Sequence, residues 1–565
     1  MGYFLRSFYA RSVFLSKFVA IYTKIMKNLK IYTLLIALLS AFCVAKANTQ
    51  HSPRLLVNIV VSSMHADDLN KYSSNFSSGG FRRLMNNGAW FTNASYDYMQ
   101  TTTPVSLATI STGAMPSVHG VVADRWFDYV GNKEVLLIDD KKEQSVNYSG
   151  GSGSYSPRNL TAQTLSEVVA KSNSKSHVAT IAIEPLSAIV MAGKAGEVYW
   201  METLQTAWTT SSYYTKELPA WITDYNRNEV NQTHMIKRWT PLLAYDDYHN
   251  NQVSCIEDLK SNSNKRIDFI GVDETSAKTR INDDYDQMCY TPAGNSALLS
   301  FAKQIITKAE MGKDEVIDVL NIVLDTPRMI SSRFGPESVE YEDMLYRLDR
   351  DLEEFISYIM TQVIDPQHIV ISLTSDHGTS PSFNSPGAEQ ERFNIRQAEV
   401  ITNAFIGSKH GNGEWILGCI DNAIYLNHNL IDEKGLSITE MQNDVAMFVM
   451  QLRGVSHAMS AEAMRGSYFG SGYGRKIQNG FYPRRSGDVI INLMPGWIEE
   501  RDNERSSSGS MYRYDTQVPL IIYGGGVARG KVGDKVDITS LATTLAHIIG
   551  VSTPSAAEGE MLKIE

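Results

Sequence analysis

Cysteine is scarce in this chain, four in 565 residues, and no two of them form a C-x-x-C pair, which excludes a zinc module built on paired cysteines. A P-loop, a dinucleotide-binding glycine fingerprint, a G-x-S-x-G elbow and any internal repeat are also missing. The nucleotide-cradling, serine-elbow and solenoid classes therefore fall away. Beyond the N-terminal segment no apolar run reaches the length of a membrane span. Positive charge is in deficit as well: after residue 47 there are 45 basic against 62 acidic side chains, a net charge of −17. So acidic a body argues against binding a nucleic-acid backbone.

The first 47 residues are the opposite, with seven basic side chains and no acidic one. The apolar run 31–44 followed by Ala45-Lys46-Ala47 has the pattern of a secretory signal peptide, with the true start expected at Met26. Cys43 invites a lipoprotein reading, but bulky Phe42 precedes it, and cleavage after Ala47 is the reading adopted. The protein is thus expected to be exported and periplasmic, with no transmembrane segment after cleavage. Association with the outer membrane or cell surface stays open. In an oxidising compartment Cys255 and Cys289 either pair or remain buried thiols, and Cys419 reads as a buried thiol.

The rest of the chain alternates strand and helix patterns. Expected strands are 55–61, 178–183, 316–324, 415–426, 488–497 and 518–523; expected helices are 79–88, 160–171, 297–309, 338–363, 438–452 and 538–549. Residues 380–396 read as a loop. From about 196 to 293 the text is rich in Tyr, Trp, Asn, Ser and Thr without either periodicity, and is expected to form an inserted cap. One doubly wound α/β domain over 48–565, interrupted by that cap, is the simplest architecture.

Two stretches carry the chemistry. His368–Gly378, HIVISLTSDHG, reads as a buried parallel strand with Asp376 and His377 at its carboxyl end, where open α/β sheets place ligands. Thr101–Gly120, TTTPVSLATISTGAMPSVHG, puts Thr103 at a helix N-terminus, where it meets an anion unless Thr102 or Thr103 merely caps the helix. His65, Asp67 and Asp68 read as replacement ligands or as capping and surface residues. His119 and His547 read as packing or surface residues.

These stretches, with PRLLVNIVVSSM, MPSVHGVVADRWF, RFGPESVEYEDMLYRLD, SGDVIINLMPGW and YDTQVPLIIYGGGV, resemble the alkaline phosphatase superfamily over nearly the whole chain after the leader. The resemblance lies within the type I phosphodiesterase/nucleotide pyrophosphatase-like proteins, next to the phosphate-irrepressible periplasmic phosphatases. It implies an alkaline-phosphatase-like doubly wound sheet with helices on both faces. It also implies a Thr nucleophile at Thr103 and two zinc ions about 4 Å apart, with Asp376 and His377 among their ligands. Several positions depart from the family pattern. Ser62 stands where a ligand Asp is expected. Arg328, Ser332 and Ser508 stand at the ligand positions of the second metal, Asp124 at a phosphate-contacting Asn, and Glu184 and Leu186 at a Lys and an Arg.

A carboxylate 4 Å from a phosphate charge costs about 4 kcal/mol at an effective dielectric of 20, or about three powers of ten in affinity. On that ground the chain is expected to be a pseudophosphatase acting as a binding or scaffolding subunit of a cell-envelope complex. Thr103 would be vestigial, Asp376 and His377 unoccupied remnant ligands, and no cofactor needed. The partner would be an envelope protein docked on the aromatic cap. The alternative is an active phosphomonoesterase or phosphodiesterase using Thr103 with one zinc on Asp376 and His377, and a third reading is a cap that binds glycans or lipid headgroups. Arg328 either pairs with Asp376 in place of a metal or points to solvent.

Overall fold

The structure, a computed structural model, describes residues 52–146, 153–202, 207–227, 238–250, 270–271, 288–362, 365–382, 391–501 and 504–564. The expected leader and Cys255 lie outside them. Central strands are the apolar, β-branched runs. β1 (Leu55–Val61), β6 (Asp318–Leu324) and β7 (Ile369–Thr374) are buried along their whole length. That uniform burial is what a sheet covered on both faces demands.

The remaining strands of this sheet are β2 (Ala89–Ser95), β3 (Val178–Ala182), β4 (Glu197–Glu202), β5 (Ala207–Thr209), β12 (Gln517–Gly524), β13 (Gly530–Val532) and β14 (Val536–Asp537). They run in the order β13-β2-β12-β7-β1-β6-β3-β4-β5, with β14 also on β2. From β7 to β4 all neighbours are parallel, whereas β12 is antiparallel to β7. Register is fixed by a polar ladder as well as by the apolar pattern. Ser372 bonds Asn58 at 2.7 Å, Asn58 bonds Asn321 at 2.8 Å, and Asn321 bonds Thr180 at 2.9 Å, so one polar residue on each of β7, β1, β6 and β3 lies in line. A one-residue slip would strand buried amides without partners.

Helices cover both faces. α1 (Phe81–Asn87), α5 (Ala293–Lys308) and α7 (Val339–Gln362) pack on the face of Leu55, Val57 and Ile59. α2 (Thr103–Thr112), α3 (Leu165–Ser172), α4 (Pro185–Ala192) and α10 (Ser540–Ile548) pack on the face of Leu56 and Val60. In α7 the stripe Leu345, Leu348, Leu352, Phe355 and Ile359 is buried, as its spacing predicts. No helix among the described residues is long and apolar enough to cross a membrane.

A second, four-stranded sheet holds β8 (Ile416–Ile420), β9 (Ala423–Leu426), β10 (Val455–Ser460) and β11 (Val489–Leu493), with α8 (Ile395–His410) and α9 (Ile438–Val449) against it. Here the single strand expected over 415–426 is a hairpin. Asp421 and Asn422 adopt positive φ angles of 44° and 62°, the left-handed turn that Asp and Asn tolerate best. The segment expected as a loop over 380–396 contains the start of α8 and a short strand at Arg392–Phe393, while residues 383–390 lie outside the described residues.

The stretch expected as a cap supplies β4 and β5 to the main sheet. None of its described aromatic residues is exposed. Trp200, Trp208 and Trp239 are fully buried, and Trp208 stacks on Phe301 of α5 at 4.1 Å. Trp208 and Trp239 fill space on the face covered by α5 and α7, and Trp200 packs on the opposite face, so these described rings serve the core.

Candidate active site

The carboxyl ends of four adjacent parallel strands converge on one place, which is where this topology puts a site. β7 delivers Asp376 and His377, β1 delivers Ser62 and Ser63, β6 delivers Asp325, and β3 delivers Glu184, while α2 brings Thr103 in from above. Of these, Ser63, Thr103, Glu184 and His377 border a cavity of about 410 Å3 whose lining also includes Arg328, Asp421 and Arg501, while Asp376 and Asp325 are fully buried. Asp124, Leu186, Ser332 and Ser508 line it too, and Ser62 lies buried just beneath.

Asp376 is wholly buried. Its Oδ2 accepts the Ser62 hydroxyl at 2.7 Å, and its Oδ1 accepts the amides of Ser63 at 3.0 Å and His377 at 2.9 Å. Burial alone would raise its pKa, but His377, those hydrogen bonds and Arg328 outweigh it and hold the carboxyl below its usual value. His377 is held low by burial, against the pull of Asp376. Its Nδ1–H donates to the Gly378 carbonyl at 2.5 Å, which leaves Nε2 without a proton. That nitrogen faces Thr103 Oγ1 at 3.1 Å and Ser508 Oγ at 3.5 Å. Gly378 is obligatory here, since a Cβ would overlap the Tyr514 carbonyl oxygen.

The helix-capping role expected of Thr102 or Thr103 is not filled. Thr102 occupies the cap position without a side-chain cap bond, and its Oγ1 has no partner among the described residues. Near the site, His65 Nε2 accepts the Thr379 amide at 3.2 Å, and Asp68 accepts the His65 amide and the Tyr341 hydroxyl, so neither is arranged as a replacement ligand. His119 is buried packing, bonded to Thr109 and the Val121 amide.

Arg328 pairs with neither Asp376 nor solvent. Its Nη2 contacts Glu184 Oε2 at 2.5 Å and lies 4.0 Å from Asp325 Oδ1. Ser62 already satisfies Asp376, and Glu184 at the cavity wall is the nearer anion. The repulsive charge expected from Glu184 is therefore neutralised in place. Asp325 was not singled out from sequence, although an Asp ending the run VIDVLNIVLD is the signal that could have found it. Its carboxylate accepts the amides of Ile183 and Glu184 and the Ser187 hydroxyl, and burial beside Glu184 lifts its pKa to about 7, with Arg328 opposing. Asp421 and Arg501, 3.3 Å apart on the facing wall, carry no sequence signal beyond charge.

Asp376 and His377 supply the carboxylate and imidazole that would hold one dication, with the Thr103 hydroxyl beside them. Arg328, Ser332 and Ser508 offer neither carboxylate nor imidazole, and do not fit a second one. Among the described residues no group of three or more His, Cys, Asp and Glu is arranged around a metal position.

A threonine hydroxyl beside an Asp-His pair thus lies at the carboxyl edge of a mostly parallel α/β sheet, where such folds place their ligands. Residues 56–512 match the type I phosphodiesterase/nucleotide pyrophosphatase family, and the chain belongs to it, within the alkaline phosphatase superfamily. It is 28% identical over 524 residues to the alkaline phosphatase PafA of Elizabethkingia meningoseptica, covering 91% of this chain and 95% of that one. To the alkaline phosphatase PhoV of Synechococcus elongatus it is 27% identical, covering 94% and 99%. The crystal structure of wild-type PafA superposes with a TM-score of 0.82 at 26% identity, over 90% of this chain and 98% of that one. These relatives overturn the expectation that no cofactor is needed: a chain that shares nearly its whole length with alkaline phosphatases, enzymes that use zinc, is not to be read as cofactor-free.

Proposed function

We propose that this protein hydrolyses phosphoric esters, with Thr103 as nucleophile and one dication held by Asp376, His377 Nε2 and the Thr103 hydroxyl. The observation that carries this reading is the 3.1 Å approach of Thr103 Oγ1 to an unprotonated His377 Nε2 on the cavity floor. The kinship with proteins named alkaline phosphatases supports it. When bound, the dication supplies charge that makes the Thr103 hydroxyl easier to ionise and offsets charge on the phosphoryl oxygens.

The chain's own residues do the positioning. Ser62 and the Ser63 amide fix Asp376. The Gly378 carbonyl fixes the His377 ring. The N-terminus of the ten-residue α2 favours an anion next to Thr103. Thr103 Oγ, its proton given up to water, forms a bond to phosphorus as the ester P–O bond breaks and the alcohol oxygen leaves and takes up a proton. Water then attacks the phosphorus and releases phosphate from Thr103, whose oxygen is reprotonated. The leader-like N-terminal pattern supports export of the enzyme.

The test is turnover of an aryl phosphate and an aryl phosphodiester by the zinc-loaded protein at neutral and alkaline pH. Turnover that disappears in Thr103→Ala is the expected result; none from the parent with either ester overturns the proposal. A second reading, a binding subunit of a cell-envelope complex that does not turn over an ester, is favoured by the exposed Asp124 carboxylate at the cavity and by the serines at 332 and 508. A defined partner retained by the protein without any turnover would favour that reading.

A further inference from the structure

Arg328 is an unusual cation. It sits in the first turn of α6 (Thr326–Phe334), lining the same cavity as Thr103 and His377. Its Nη2 holds Glu184, yet its Nε is buried with no hydrogen-bond partner among the described residues. A guanidinium presents its donors as a rigid fork suited to two oxygens of one anion. Here only one side of the fork is used, and the partner using it is not locked in place. The Glu184 side chain is 36% exposed, and no other hydrogen bond to its carboxylate is recorded among the described residues. Asp325 is different: it is buried, bonded to two amides and a hydroxyl, and 4.0 Å from the guanidinium, so it biases the charge of Arg328 without occupying the fork. A partly exposed ion pair contributes little net stability, so a better-fitting anion can displace one partner.

We propose that Arg328 is the residue that holds the phosphoryl group in this cavity and that Glu184 is its removable placeholder. In the resting protein Glu184 neutralises the guanidinium. On binding, two oxygens of a tetrahedral phosphate take Nε and Nη2, and the Glu184 carboxylate swings outward into water. The exchange is anion for anion, so the guanidinium fork is never left without an anion. Arg328 thereby supplies positive charge on the side of the site where serines replace metal-binding side chains. This rests on the phosphoesterase reading of the cavity, but it is a statement about binding and can be tested without turnover.

The experiment is calorimetric titration of the purified full chain with inorganic phosphate, for the parent, Glu184→Gln, Arg328→Gln and Arg328→Lys. Removing the placeholder's charge should tighten phosphate binding about tenfold, whereas removing the fork should weaken it at least tenfold, with Arg328→Lys in between. Opposite signs from the two halves of one ion pair are what a purely structural bridge cannot produce. Such a bridge would lower the melting temperature in both variants and leave phosphate affinity alike, and that result overturns the proposal. So does an absence of phosphate binding in both the parent and Glu184→Gln. Because Arg328→Gln leaves Glu184 and Asp325 facing each other, the double variant Glu184→Gln/Arg328→Gln serves as the folded control, and it should bind phosphate no better than Arg328→Gln. Opposite-sign effects in a zinc-loaded protein that turns over no ester would sink the enzymatic reading and leave this one standing.

Discussion

Two buried polar clusters in this protein are built from similar parts and do opposite things. In the four-stranded sheet, Asp488 accepts the Leu426 amide at 2.8 Å, the Gln442 amide group at 2.6 Å, His428 Nε2 at 2.9 Å and the Tyr129 hydroxyl, and the rings of Tyr129 and His428 stack at 3.9 Å. Around the Thr103 cavity, by contrast, Arg328 Nε, Thr102 Oγ1, Gln100 Oε1, Asn422 Oδ1, Asn492 Oδ1 and Asp515 Oδ1 are buried without partners among the described residues. A buried polar group that is not hydrogen-bonded costs stability, so a cluster of them on one cavity marks where something else is meant to bind. Saturation identifies a structural knot; concentrated deficit identifies a site.

The sharpest way to break that contrast is to delete one group from each. Thr103→Ala should lower phosphoester turnover at least about a thousandfold, the loss seen when a nucleophile is removed from a preorganised site, with a melting temperature close to the parent's. Asp488→Ala should do the reverse. It leaves a buried glutamine and amide unpaired and takes the partner from Tyr129 and the part-exposed His428, which costs about 3 kcal/mol, read as a lower urea midpoint. Turnover per folded molecule should be unchanged. If Asp488→Ala abolishes activity in protein that is still folded, the two clusters are not separable.

The fold was legible because its strands are long apolar runs between turns. β1 runs over the expected Leu55–Val61, and α7 lies within a residue of its expected limits at each end. The hairpin at Asp421-Asn422 was hidden because both flanks are apolar, and only the left-handed backbone breaks them. The meeting of Thr103 with the Asp376-His377 pair was legible as well, since strand-end and helix-start positions place them together. What sequence misjudged was charge pairing. Glu184 looks repulsive in isolation, because nothing in a linear string shows that Arg328, 144 positions later, will meet it. The same holds within residues 196–293, where Trp208 stacks on Phe301 inside the molecule, a pairing that no linear string displays.

A smaller effect separates a third kind of buried group from both clusters. Glu340, in the first turn of α7, is 0% exposed, and neither carboxylate oxygen has a partner among the described residues. Burial lifts its pKa from 4.5 to about 7. Between those values the unfolded chain has released the proton while the folded chain keeps it, so stability falls as pH rises through this window and levels off above it. A shift of that size corresponds to about 3 kcal/mol at most. Glu340→Gln should flatten the dependence, so that urea midpoints at pH 5 and pH 8 differ less than in the parent. An equal difference in both proteins would show that Glu340 does not titrate in this window.

The smallest expected effect concerns how Asp376 is held. Ser62→Ala removes the 2.7 Å bond to Oδ2 and leaves the two amides on Oδ1. The loss should be about 1 kcal/mol, the usual net worth of one hydrogen bond. Ser62→Asp is the more informative partner. It sets a second carboxylate against Asp376, which is repulsive unless a cation sits between them. In chelator it should melt below Ser62→Ala, and added zinc should raise its melting temperature more than the parent's. Were zinc to leave all three proteins unchanged, Asp376 would belong with Asp488 among the structural knots, and the contrast between the two clusters would fail at its centre.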